Sequence, residues 1–286
     1  MELVKPARDS RKGDNGRLLI VGGSEEYHGA PIFSLLAARR FVDLLYFYPA
    51  QNDAFLINAV KRIPEAIVVH GYRAPAIRGL DCVLYGVGMS KAMVPLPGPT
   101  TKTKPGTQNP GPETGNWKLV FDGDGLKRVK GRIPAGCLLT PHENEFRMLF
   151  GIEGSKKNVL AMAKAHRCVI LKKGPTDIIA DGRGAESGGP QNTRPGTRNP
   201  RLGTGNWGLE TNSIHNAGMT KGGTGDVLAG LVAALACKND LFTAAVMGAK
   251  INGLAGDMLF KRYGYNYCAS DLAETLAEAA MKMRKG

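Results

Sequence analysis

Short apolar segments alternate with helical patterns along this chain, and the alternation limits the folds that it can adopt. Continuous apolar runs that suit strands lie at 18–23, 43–48, 66–70, 81–85, 118–121, 136–139 and 168–172. Helical patterns lie at 30–41, 53–60, 143–150, 158–166, 227–237, 241–262 and 271–284. Short apolar strands between helices are typical of a parallel sheet with both faces covered. We therefore predict an α/β fold, a three-layer α/β/α sandwich with a mostly parallel central sheet, and ligands at the carboxyl ends of its strands.

A glycine-rich loop stands before the first helix of the C-terminal third. It reads Gly222-Gly223-Thr224-Gly225-Asp226 and leads into an apolar helical pattern. Glycines allow a positive φ and let a ligand approach bare amides, and the first turn of a helix leaves N–H groups unpaired at the positive end of its dipole. The loop predicts a phosphate site, with the amides of Gly223, Thr224 and Gly225 as an anion hole.

Asp226 is the unusual member of this loop, because a carboxylate repels a phosphate beside it. An N-cap role would explain the aspartate, but it would not explain the glycines that precede it. We therefore predict that Asp226 is a general base, which takes a proton from a hydroxyl near the bound phosphate.

The formal net charge of +13 raises the question of a nucleic-acid partner. Lys and Arg are spread along the chain, without a dense basic run or the interleaved aromatics of a single-strand binder. We expect an anionic small-molecule substrate and no nucleic acid; nucleic-acid binding stays an alternative that a salt-titrated assay would detect. Without a window of about 18 uninterrupted apolar residues, we expect no membrane partner. Five scattered cysteines without metal-ligand spacing, and a charged N-terminus, predict a cytoplasmic protein.

Two copies of one segment interrupt the alternation. Residues 103–117 recur as 193–207 with ten of fifteen aligned positions identical, and both tryptophans of the chain lie in the copies. Pro, Gly, Thr and Asn dominate both copies, which predicts surface insertions, at about 97–117 and 184–208, in a single domain of residues 1–286. The second falls between strand-like runs at 177–182 and 209–215, as an enlarged hairpin turn. A recognition role for their Arg and Trp residues remains the alternative.

Eight short motifs follow one another in the remainder of the chain. They are KGDNGR (12–17), GGS (22–24), GAP (29–31), GVG (86–88), FDGDGL (121–126), LTPHENEF (139–146), LKKGPTD (171–177) and GGTGD (222–226). In this order they resemble the ADP- or ATP-dependent NAD(P)H-hydrate dehydratase family of the ribokinase-like superfamily. The resemblance covers the whole chain apart from the two insertions.

The resemblance implies an enzyme, a carbon–oxygen hydro-lyase that repairs NADH or NADPH hydrated at C6 of the nicotinamide ring. ADP or ATP, with Mg²⁺, phosphorylates the C6 hydroxyl, and elimination of phosphate restores the double bond. Such a reaction needs a base for the hydroxyl and an anion hole for the phosphoryl group. The resemblance also implies a homo-oligomer and a separate epimerase in the same pathway.

Site residues follow from the matching motif positions. The hydrated dinucleotide would contact Ala30, Gly88, His142 and the catalytic Asp226. The ADP or AMP site would be lined by Lys173, Gly174, Pro175, Thr176, Asp177 and Gly225. Glu145 is expected to organise Mg²⁺ through water.

Two alternatives come from the same residues. A ribokinase-like kinase of a vitamin precursor would share the anion hole and the base; such kinases tend to carry Asn where His142 stands. His142 could also simply cap the helix that begins at Glu143. The chain departs from the family at Val87, where Pro is usual, and at residues 213–215, which affects the expected affinity more than the chemistry.

Overall fold

The computed structural model describes residues 1–71, 77, 79–92, 94–96, 117–184 and 208–284. Within these residues nine strands form one sheet: β1 Arg17–Gly22, β2 Leu44–Pro49, β3 Ala66–Val68, β4 Cys82–Val87, β5 Lys118–Phe121, β6 Leu138–Leu139, β7 Val169–Lys172, β8 Asp177–Asp181 and β9 Leu209–Asn212. The α-helices are α1 Gly29–Ala38, α2 Ala54–Val60, α3 Asp124–Val129, α4 Glu143–Phe150, α5 Lys156–His166, α6 Thr224–Lys238, α7 Leu241–Tyr263 and α8 Ala269–Met283.

The strand order is β3-β2-β1-β4-β5-β6-β7-β8-β9. Every neighbouring pair from β3 to β7 is parallel, and β8 and β9 extend the sheet as antiparallel strands. The chain builds outward from β1 to β3 and then returns to place β4 on the other side of β1. The carboxyl ends of β1 and β4 therefore flank a topological switch point, where ligands of such sheets bind.

Both faces of the sheet are buried, and β1 shows this directly. Leu18 and Ile20 belong to an apolar cluster with α1, α6, α7 and α8, whereas Leu19 and Val21 belong to a second cluster with α3, α4 and α5. Burial on both faces explains why the strands are continuously apolar and do not alternate with polar residues. The prediction of a three-layer α/β/α sandwich with a mostly parallel sheet is confirmed.

Three differences from the predicted elements stand out, and the first two have physical reasons. Helix α6 begins at Thr224, not at residue 227, because the end of the glycine-rich loop is itself helical. Helix α3 was not predicted, since its GDG start suggests a turn; there a Cβ on Gly125 would lie 2.2 Å from the Tyr85 carbonyl oxygen, so the glycine permits close packing on β4. The strand predicted at 136–139 shortens to Leu138–Leu139.

The strands on either side of the second predicted insertion, β8 and β9, are joined as a hairpin. Ala180 lies opposite Leu209, and the Asp181 amide donates to the Gly208 carbonyl at 2.8 Å. Most of both predicted insertions, 97–116 and 185–207, lies outside the described residues, as does Trp207. Trp117 is described and packs, partly buried, against the second apolar cluster.

Candidate active site

Three side chains meet where β5, β6 and β7 end. Asp122, Thr140 and Lys173 are each the first residue after one of these strands, which are neighbours in the sheet. The Lys173 ammonium donates to Asp122 Oδ1 at 2.6 Å, and the Thr140 hydroxyl donates to the same oxygen at 2.6 Å. The Asp122 side chain is 5% exposed and that of Lys173 15%. Burial lowers the pKa of Lys173, but attraction to Asp122, Glu145 and Asp226 outweighs it and raises the pKa overall.

The first turn of α6 faces this cluster. A Cβ on Gly225 would lie 3.5 Å from Lys173 Nζ, so the ammonium stands beside the helix start. The Thr224 hydroxyl lies 2.6 Å from the Met219 carbonyl oxygen and 2.8 Å from that of Lys221, which ties the loop to the helix. The Thr224 amide is 3.3 Å from the Lys221 carbonyl oxygen, so one of the three predicted anion-hole amides is already engaged.

Only one glycine of the loop needs the left-handed region. Gly223, the N-cap of α6, has φ +91°, whereas Gly222 and Gly225 do not have a positive φ. Of these three glycines, only Gly223 therefore uses the positive φ that the sequence predicts for the loop; Gly225 is helical, and its Cβ position lies 3.5 Å from the Lys173 ammonium.

Asp226 is the third residue of α6, so the alternative that it caps the helix is excluded, since Gly223 occupies that position. Burial raises its pKa to about 7, and repulsion from Asp122 contributes to the rise. Attraction to Lys173 opposes the rise, and repulsion from Glu145 adds to it. A carboxylate with this proton affinity suits general-base chemistry near neutral pH.

His142 caps α4, as the structural alternative predicted. Its Nδ1 accepts from the amides of Asn144 (3.1 Å) and Glu145 (3.2 Å), and Glu145 Oε2 accepts from the His142 amide at 2.9 Å. Because Nδ1 is an acceptor, a neutral ring carries its proton on Nε2. The side chain is 53% exposed. Capping uses Nδ1, whereas Nε2 lies 3.5 Å from Glu145 Oε2.

Glu145 lies between this cap and the Lys173 cluster. Burial raises the pKa of its carboxyl group, and attraction to Lys173 partly offsets that rise. In the described part of the chain, no group of three or more His, Cys, Asp or Glu side chains is placed to hold a metal ion.

The turn between β7 and β8 contains the predicted nucleotide residues. The Lys173 amide donates to the Pro141 carbonyl oxygen at 2.8 Å. Asp177 accepts from the Gly174 amide and from Asn212 Nδ2, both at 3.1 Å, so its carboxylate holds the turn in place. Thr176 Oγ1 lies 3.5 Å from Ser213 Oγ. The segment that departs from the family pattern therefore contacts the predicted nucleotide turn.

Ala30 and Gly88 meet at the switch point. Gly88 has φ +62°, and a Cβ there would lie 2.8 Å from the Ala30 Cβ and 2.7 Å from the Tyr27 carbonyl oxygen. Gly86 has φ +114°, and the intervening Val87 is fully buried. The predicted substrate contacts Ala30 and Gly88 thus come together without the usual proline.

Sequence reasoning missed several polar residues of this region. A cavity of about 180 Å³ is lined by Ser24, Glu25, Glu26, Gln51, Ser90 and Lys91. Ser90 has φ +52°, and its amide donates to Asp124 at 2.7 Å. Asp122 and Thr140 were also missed, although their places directly after predicted strands were a usable signal.

Comparisons with known proteins cover most of the chain. A family model described as NAD(P)H-hydrate dehydratase matches residues 18–187 and 206–278. The ADP-dependent (S)-NAD(P)H-hydrate dehydratase of Cenarchaeum symbiosum is 34% identical over 94% of this chain and 90% of that relative. The chain also matches bifunctional NAD(P)H-hydrate repair enzymes, of which it spans about half the length.

Solved structures share the fold. A ribokinase-like superfamily protein of Enterococcus faecalis superposes with a TM-score of 0.72 at 20% identity, over 98% of this chain and 92% of that one. The ADP/ATP-dependent NAD(P)H-hydrate dehydratase of Bacillus subtilis, co-crystallized with ATP/Mg²⁺, gives 0.70 at 22% identity, over 97% and 93%. The ribokinase-like fold prediction is confirmed. None of the helices in the described ranges is long and apolar enough to cross a membrane.

Proposed function

Since this chain belongs to the NAD(P)H-hydrate dehydratase family, we propose that it restores NADH or NADPH from their hydrated forms with ADP or ATP as co-substrate. The resemblance inferred from the motifs is confirmed by the family match. The observation that carries the proposed chemistry is Asp226, a carboxyl group with a pKa near neutrality beside a cation and a helix N-terminus.

The phosphoryl-transfer step has residues suited to it. Asp226 takes the proton of the C6 hydroxyl, and the hydroxyl oxygen forms a bond to the terminal phosphorus of the nucleotide. The bond from that phosphorus to the bridging oxygen breaks, and AMP leaves when the donor is ADP. The Lys173 ammonium and the Gly225 amide stabilise the negative charge on the transferring group. The C6–O bond then breaks, phosphate leaves with the bonding electrons, and the neighbouring carbon loses a proton to water, which restores the double bond.

The substrates would occupy the two halves of this edge of the sheet. The hydrated dinucleotide would lie against Ala30 and Gly88, with His142 donating through Nε2. The nucleotide would lie along the turn from Lys173 to Asp177, where Asp177 orients the backbone.

Mg²⁺ fits the residues that are present. It is usually held by one or two carboxylates, several waters and substrate phosphates, which agrees with the lack of a larger acidic cluster among the described residues. Glu145 would hold it through water, since one carboxylate oxygen is engaged with the His142 amide. When bound, the ion would neutralise charge on the nucleotide phosphates.

The test is recovery of absorbance at about 340 nm from hydrated NADH on addition of ADP and Mg²⁺, with phosphate release followed in parallel. We expect one phosphate and one AMP for each NADH formed. A kinase would instead accumulate a phosphorylated product without free phosphate, and absence of both signals with ADP and with ATP would refute the proposal. The homo-oligomer and the separate epimerase remain predictions for gel filtration and for a coupled assay.

A further inference from the structure

We propose that Asp122 is a positioning residue: with Thr140, it holds the Lys173 ammonium beside the first turn of α6 and keeps it from pairing with Asp226. Asp122 thereby keeps the base and the cation of the site apart. The expected change in turnover rests on the proposed function, whereas the expected change in the pKa of Asp226 does not.

The sheet fixes the three residues of this device. Phe121 lies opposite Leu139 in the register of β5 and β6, and the Lys173 amide is bonded to the Pro141 carbonyl. The Cα positions of Asp122, Thr140 and Lys173 are therefore set by neighbouring parallel strands. Thr140 is fully buried. Its hydroxyl lies 2.6 Å from Asp122 Oδ1 and 3.0 Å from the Phe121 carbonyl oxygen, and the shorter contact is the one to the carboxylate.

The Lys173 ammonium could pair with more than one carboxylate. Lys173 interacts electrostatically with Asp122, Glu145 and Asp226, but its ion pair at 2.6 Å is with Asp122. Asp122 is deeply buried and already oriented by Thr140, so a partner there costs little additional ordering. A direct pair with Asp226 would depress the pKa of that carboxyl group and weaken it as a base.

The groups that act on Asp226 come from several elements. Asp122 after β5 and Glu145 on α4 repel its ionised form, whereas Lys173 after β7 and the Asp226 amide favour it. From α1, the uncharged Ser34 hydroxyl donates to the Asp226 carbonyl oxygen at 2.9 Å. Asp122 therefore acts twice: it repels the base directly, and it retains the cation that would otherwise pair with the base.

Held by Asp122, the Lys173 ammonium lies at the start of α6, where it can act on a bound phosphoryl group. Nζ lies 3.5 Å from the Cβ position of Gly225, at the positive end of the α6 dipole. A cation and a helix N-terminus then point at the same place, where the transferring phosphoryl group would carry its charge.

The substitution Asp122→Asn isolates the charge, because an amide oxygen can still accept from Thr140 and Lys173. We expect the pKa of Asp226 to fall from about 7 by about one to two units, since a repelling charge is removed and the ammonium, no longer paired with a carboxylate, interacts more strongly with Asp226. The turnover number should fall by about three- to tenfold because the base is weaker. The affinity for ADP, measured by calorimetry, should not weaken, since no cation is lost.

The pKa of Asp226 can be measured without any activity. The unfolding free energies of a protein with Asp226 and of its Asp226→Asn counterpart diverge as pH rises, and the divergence levels off at the folded-state pKa of Asp226. We expect levelling near pH 7 in the wild-type background and at a lower pH in the Asp122→Asn background. The acid limb of kcat/KM for hydrated NADH should shift by the same amount. Asp181→Asn, which removes a carboxylate paired with Arg183 at the other end of β8, should shift neither.

The outcomes separate the two proposals. Levelling at the same pH in both backgrounds would overturn the positioning role, whatever the activity. A shifted levelling in a protein without dehydratase activity would support the positioning role and refute the proposed function. If Asp122→Asn does not fold, Thr140→Val should move the levelling in the same direction by a smaller amount, whereas Thr140→Ser should leave it unchanged. An unmoved Thr140→Val would then overturn the proposal.

Discussion

Replacing Asp226 with Asn should make the protein more stable at neutral and alkaline pH, although it removes the proposed base. The reason is the environment of the Asp226 carboxyl group, which is partly buried. Repulsion from Asp122 and Glu145 also disfavours a negative charge there. Asn has nearly the same size and cannot ionise, so it removes that penalty without leaving a cavity.

The magnitude follows from the shift in proton affinity. The pKa of Asp226 is raised from 3.8 in the unfolded chain to about 7 in the folded protein. Between these values the folded protein holds a proton that the unfolded chain has released, so stability falls as pH rises. About three pKa units at about 1.4 kcal/mol each give an upper limit of about 4 kcal/mol. Because water screens the partly exposed carboxylate, we expect a gain of about 2–3 kcal/mol for the variant at pH 8.

The assay is equilibrium unfolding in urea, followed by circular dichroism at several pH values between about 3.5 and 8. The difference between variant and wild type should be small below about pH 4, grow through the window, and level off near pH 7. The control Asp181→Asn breaks the ion pair with Arg183 at 2.7 Å and should lower stability at pH 8. A difference that does not vary with pH, or a variant that is less stable at pH 8, would refute the electrostatic account of this site.

Three further predictions concern catalysis and the insertions. Asp226→Asn should lower turnover by roughly two to four orders of magnitude while ADP binding survives; near-normal turnover would exclude Asp226 as the base. Gly225→Ala should keep the fold, because its Cβ would meet Lys173 Nζ at an ordinary 3.5 Å, yet lose nucleotide affinity and rate because that Cβ would crowd a phosphate bound at the helix start; unchanged ADP affinity by calorimetry would place the phosphate site elsewhere. Deletion of 101–116 and 187–206 should leave the melting temperature little changed and activity within a few-fold, since no matched site residue lies there; aggregation or loss of most activity would favour the recognition role.

The elements that sequence analysis predicted well are those whose signal is local. The apolar runs of β1, β5 and β7 predict buried strands because both sheet faces are covered, and α4 has the predicted bounds because its amphipathic turns lie between a cap and Gly151. Helix α3 was hidden because its glycines serve close packing on β4, which local propensity does not record.

In the candidate site too, some residues have a local sequence signal, whereas the role of others depends on contacts between distant parts of the chain. Asp226 could be identified from its loop, since the anion-binding property of a helix N-terminus is a local one. The role of Asp122 could not, because its partner Lys173 is 51 residues away and meets it only through the register of three strands. For His142 the structure confirms the capping interpretation, which uses Nδ1, and contact of its Nε2 with a ligand stays a prediction.

The β8–β9 hairpin has its open end at the amino ends of the parallel strands, away from the candidate site. Asp181 lies opposite Val169, at the amino end of β7, whereas Lys173 follows its carboxyl end. The last described pair before the insertion, Asp181 and Gly208, is joined by a hydrogen bond of 2.8 Å, so the chain leaves and re-enters the sheet at nearly the same point. A reporter domain whose termini lie close together could be grafted there without prying the strands apart. The enzyme could then carry a fluorescent sensor at one end while it turns over substrate at the other.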